Sequence, residues 1–86
     1  MAALHIVNRH SALASCLEVA ASDDSVLLIQ DAVYALTQAP PRVLLAIAED
    51  VRARGLESRL QEDVRLVDYA EFVDLTVTHQ PLISWD

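Results

Sequence analysis

Two apolar runs of this chain, within VLLIQ at 26–30 and RVLLAIA at 42–48, show no alternation of polar and apolar residues. A strand with one wet face alternates, whereas a strand covered on both faces does not. These runs therefore need cover above and below, which a parallel sheet between helices supplies. The rest of the chain reads as strand and helix in turn. ALHIV (3–7) is a first strand, VRLVD (64–68) a fourth, and PLISW (81–85) a short edge strand. Pro81 stands at the start of that last strand, where a missing donor is tolerated.

The connecting segments read as helices. SALASCLEVAA puts Leu13, Cys16, Leu17 and Ala20 on one stripe at helical spacing, with Ser11 as its cap. A second helix begins at Asp31 and is stopped by APP at 39–41, since proline cannot continue the hydrogen-bond ladder. EDVRARG (49–55) is a short helical turn with acids first, arginines last and Gly55 at a left-handed exit. LESRLQED connects it to the fourth strand, with room for one more helical turn. YAEFVDLTVTH (69–79) is amphipathic, with Tyr69, Phe72, Val73 and Val77 expected inward and Glu71, Asp74 and Thr78 outward. The expectation is an α/β fold over a single domain, 1–86: a mostly parallel sheet of four to five strands with helices on both faces.

Size sharpens this picture. A chain of 86 residues buries only roughly 60–65% of its unfolded surface. Cys16 is the only cysteine, so no internal disulfide helps, and no Cys/His spacing suits zinc. Yet 53% of the residues are hydrophobic, a high share for so small a globule. So few helices barely cover the strands, and some flank should stay greasy until a neighbour covers it. The chain is expected to be an oligomer or a subunit.

The net charge is −7, and the basic residues Arg9, Arg42, Arg52, Arg54, Arg59 and Arg65 are scattered. Nucleic-acid binders carry a basic patch that releases counterions from phosphates, and none is found, so no direct nucleic-acid contact is expected. No membrane span is expected, because no run reaches about 18 apolar residues. The N-terminus lacks a basic region before its apolar core, so no secretory leader is expected. A lone thiol fits a cytoplasmic, reducing location.

Candidates for chemistry are few. Gly55 is the only glycine, which excludes Gly-rich phosphate cradles. No cofactor and no metal is expected. Cys16 has two readings: a persulfide carrier, or a small hydrophobe on the buried stripe of the first helix. Its mid-helix position and its spacing with Leu13, Leu17 and Ala20 favour packing. His10 could pair with it across the helix start, His5 lies within a strand, and His79 at a helix end suits the dipole there. Asp31, Asp50 and Asp68 all stand at strand ends. There they read as helix caps rather than as three active sites. Trp85 should be packed, against either the core or a partner.

In order and spacing, LHIVNR, SCLEVA, SVLLIQDAVYAL, EDVRARGL, VDYAEFVDL and SWD resemble the DsrH/TusB family of sulfur-relay proteins. The resemblance covers nearly the whole chain. It implies a DsrE-like, flavodoxin-like α/β sheet. It also implies assembly with DsrE/TusD-like and DsrF/TusC-like subunits into a heterohexamer. Such complexes relay persulfide sulfur, either toward 2-thiouridine at the wobble position of tRNA or in dissimilatory sulfur oxidation. The main acceptor thiol is implied to sit on the DsrE/TusD subunit. Cys16 matches the position where DsrH members carry a cysteine in an SCL-like context. The chain departs from the family pattern at Asp31-Ala32, where Asp-Gly is frequent, and at Asp86, where an apolar residue is common. The leading expectation is a non-catalytic or secondary sulfur-carrier subunit serving tRNA thiolation. The alternatives are a DsrH-type subunit of sulfur oxidation and a standalone homo-oligomeric interaction module.

Overall fold

A computed structural model describes residues 2–86. Its strands are β1 (Leu4–Val7), β2 (Ser25–Leu28), β3 (Leu44–Ile47), β4 (Val64–Val67) and β5 (Leu82–Trp85). All pair in parallel, in the order β4-β3-β2-β1-β5. The unbroken apolar runs become the central strands, and every residue of β3 is buried. This is the flavodoxin-like α/β arrangement, with helices on both faces.

The faces are covered unequally. The first three crossovers run in one direction along the sheet, so right-handed connections put their helices on one face. Those segments are α1 (Leu13–Val19), a 3-10 helix (Gln30–Thr37) and α2 (Ala48–Ala53). With Val7, Val26, Leu28, Leu44 and Ala46 they enclose the larger core, which includes Cys16, Val33, Leu36 and Val51. Only the crossover from β4 to β5 runs back, and it carries α3 (Tyr69–Thr78) to the other face. There Phe72 and Leu75 pack on a smaller core of Leu4, Leu27, Leu45, Ile47 and Val67.

The connecting helices differ from expectation in three ways. Ser11 is not a cap: a 3-10 turn (His10–Ala12) precedes α1, and neither Arg9 nor Ala12 at the two helix starts makes a side-chain capping bond. The second helix is 3-10 rather than α. Its buried residues are Ala32, Val33, Ala35 and Leu36, so 32/35 and 33/36 are pairs three apart. Side chains three apart eclipse one another in a 3-10 helix, which lets this segment lay a narrow apolar ridge on the sheet. Third, α3 turns only Phe72 of its four expected residues toward the sheet. Tyr69, Val73 and Val77 point to solvent, and Phe72 with Leu75 points inward. Both sets recur at helical spacing, and the sheet accepts the pair without the polar phenol hydroxyl, Phe72 and Leu75. Of the residues expected outward, Asp74 and Thr78 are exposed, while Glu71 is half-buried in the helix's own cap.

Candidate functional site

Cys16 is the only fully buried residue of α1, with no exposed surface. Burial pushes its thiol above the usual cysteine value. The Arg42 charge opposes that rise and the Asp24 charge adds to it. His10 is exposed at the start of the 3-10 turn and makes no hydrogen bond to the thiol among the described residues. A nucleophilic cysteine needs an accessible thiolate, and this environment favours the protonated, enclosed form. These observations support the packing reading.

The strand-end acids do three different jobs. Asp68 alone caps a helix: its carboxylate accepts from the Glu71 N–H at 2.8 Å, and Glu71 accepts from the Asp68 N–H at 3.3 Å. This is a reciprocal capping box. Asp31 does not cap. Its carboxylate turns outward and accepts from Arg54 Nη2 at 2.9 Å and Nε at 3.1 Å. Asp50 lies in the first turn of α2 and accepts from the Gln30 N–H at 2.8 Å. Its second oxygen lies 3.9 Å from Arg54, whose guanidinium also stands 6.0 Å from the Tyr34 ring centroid. Arg54 thus joins two acids that the sequence marked separately, at the carboxyl ends of β2 and β3. The left-handed residue of this turn is Gln30, at φ 51°, while Ala32 is buried. The arrangement ties α2 to the end of β2. Among the described residues, no group of three or more His, Cys, Asp and Glu side chains is placed to hold a metal.

A polar chain also crosses the core. Trp85 Nε1 donates to His5 Nδ1 at 3.1 Å, and His5 Nε2 meets an Asp24 oxygen at 2.8 Å. Indole is only a donor, so Nδ1 accepts and the ring proton sits on Nε2, facing the carboxylate. Asp24 also accepts from the Ala3 and Ala21 N–H groups, each at 2.9 Å. The His5 bond and these two backbone bonds hold its pKa down to about 2. Arg42 completes the knot by donating to the Ala21 and Asp24 carbonyls. His5 is 1% exposed, so this chain reads as structure rather than as an accessible acid–base pair.

His79 does what its place at a helix end implies. Its Nδ1 donates to the Leu75 carbonyl at 2.9 Å, satisfying one of the last acceptors of α3. Its Nε2 lies 3.0 Å from Ser25 Oγ, so the hydroxyl donates to the ring. A serine beside an oriented histidine resembles the start of a nucleophile–base pair. This one stands at the amino end of β2, away from the carboxyl ends where open α/β sheets bind ligands.

Neither the Arg54 hub nor the His5 chain was visible as a unit in the sequence. Their members lie 23 and 80 positions apart, and no local spacing marks them.

Comparison with known proteins agrees with the fold. The DsrH family model, described as DsrH like protein, matches residues 7–82. Protein TusB of Yersinia pestis (strain Pestoides F) is 35% identical over 85 residues, spanning 88% of this chain and 90% of its own. Protein TusB of Yersinia pseudotuberculosis serotype O:1b (strain IP 31758) matches to the same extent. With the family match covering most of the sheet and these identities running nearly end to end, the chain belongs to the DsrH/TusB family.

Proposed function

We propose that this chain is a subunit of a cytoplasmic sulfur-relay complex that passes persulfide sulfur toward 2-thiouridine at the wobble position of tRNA. The observation that carries this reading is the likeness to TusB proteins along 88% of the chain. Its partners are DsrE/TusD-like and DsrF/TusC-like subunits, assembled as a heterohexamer. The sulfur-bearing thiol belongs to a partner, a reading that the burial of Cys16 supports. Tight tRNA contact falls to other proteins, in keeping with the net charge of −7. Co-expression with the two partner types from the same genome should give one complex by size exclusion. Deleting the gene should lower the 2-thiouridine content of tRNA hydrolysates, measured by nucleoside mass spectrometry. A chain that elutes alone beside its partners, or unchanged 2-thiouridine, would overturn the reading.

The second reading, a DsrH-type subunit of dissimilatory sulfur oxidation, is favoured by Cys16 in its SCL context. In it Cys16 is a secondary carrier. Its thiolate attacks the outer sulfur of a donor persulfide, and the donor leaves as a thiolate. The loaded complex should then gain about 32 Da per transferred sulfur on this chain, the mass of the atom that exchange delivers. The gain should vanish in Cys16→Ala. No adduct on the assembled complex removes Cys16 from the relay.

A further inference from the structure

Among the described residues, four of the seven large hydrophobic side chains that lie exposed are on the α3 side of the sheet. Tyr69, Val73 and Val77 recur every fourth residue along α3, at 48%, 58% and 73% exposure. Leu82 of β5 is paired in register with Leu4, so both side chains belong to the face that α3 covers. Ile6 and Ile29 on that face are also half-buried. One helix over five strands leaves this surplus, and among the described residues no other element covers it.

We infer that the α3 face docks a partner protein whose contact surface is an apolar ridge bearing a basic side chain. The inference rests on the relay-complex reading and names the surface and the chemistry of its contact. Charge selects the occupant. Beside α3 a cleft of about 180 Å³ is lined by Leu45, Arg65, Val67, Glu71, Asp74 and Leu75. Arg65 pairs with Glu71 at 3.5 Å, and Glu71 is further engaged in the capping box. The Asp74 carboxylate has no partner among the described residues and is exposed. A Lys or Arg from the partner can lay its aliphatic stem on Leu45, Val67 and Leu75 and set its charged head against Asp74. A second copy of this chain would bring the same acids and another −7, so like charges would face each other. RNA is repelled for the same reason.

The test uses the full chain co-expressed with its DsrE/TusD-like and DsrF/TusC-like partners. Val73 and Val77 are more than half exposed, so Val73→Asp/Val77→Asp should fold, as circular dichroism and the thermal midpoint would verify. It should lose the complex on size exclusion. Val19→Asp makes an equal chemical change at an exposed position on the opposite face and should keep it. Asp74→Lys, which leaves the apolar stripe intact, should weaken assembly about tenfold, as expected for one lost charge contact. If the wild type assembles and both the double variant and Asp74→Lys assemble equally well, the α3 face is not the dock, and the relay-complex reading stands. If the wild type does not assemble, both fall. A homodimer of the isolated chain that the double variant dissolves, seen by light scattering, would make the occupant a second copy. Binding of tRNA that the double variant loses would make it RNA. Either result overturns the inference.

Discussion

At the scale of single residues, the ring nitrogen of Trp85 reaches His5 across 80 positions of sequence and fixes its tautomer. Trp85→Phe keeps an aromatic ring but leaves a buried imidazole nitrogen without its donor. Equilibrium urea unfolding should show a loss of about 1–2 kcal/mol at unchanged m-value. Asp24 gives a pH signature. Its pKa falls from 3.8 to about 2 on folding, so the unfolded chain takes up the proton first as pH drops. The stability it contributes is therefore complete above 3.8 and is lost as pH falls through about 2. Urea midpoints measured across that range should fall steeply for the wild type and less steeply for Asp24→Asn. The burial of Cys16 was legible, because its spacing with Leu13 and Leu17 announces a buried stripe. Trp85 was legible as packed, but its partner was not, because a bond between chain ends has no local spacing.

At the scale of elements, the capping box of α3 is a property of four consecutive residues, and Asp68 was read as a cap from the sequence. Asp68→Ala should cost about 1 kcal/mol, with the loss of helicity followed by circular dichroism. Asp31 looked equivalent and is not. The helix after β2 opens with Gln30 at positive φ, and Arg54, which arrives from α2, draws the Asp31 carboxylate outward. Gln30→Gly would relieve the left-handed strain and should stabilise the chain by about 0.5–1 kcal/mol in urea unfolding. The strands were read closely because double-sided burial leaves an unbroken apolar run. The inward face of α3 was read only in part: Phe72 meets the sheet as expected, whereas Tyr69, Val73 and Val77, which also recur at helical spacing, stay outside. Periodicity finds stripes, and it does not say which one meets the sheet.

At the scale of the whole molecule, the reversal of strand order between β4 and β5 governs the division of labour between the faces. The helical segments of the first three crossovers seal one face, and among the described residues α3 is the one helix on the other. A chain so built should gain stability from its partners. At a hundredfold excess over Kd, binding adds about 2.7 kcal/mol. For a chain of this size that raises Tm by roughly 10 °C or more, which scanning calorimetry of the chain with and without its partners would register. The sequence by itself determined the layered α/β plan, the parallel strands, the cap at Asp68 and the surplus of apolar side chains. Each of these follows from composition or from the spacing of near neighbours. Only the tertiary structure decided which stripe of α3 stays wet, which acids Arg54 joins and where Trp85 finds its acceptor. Those outcomes depend on the register of distant strands, and register is settled by the whole sheet at once.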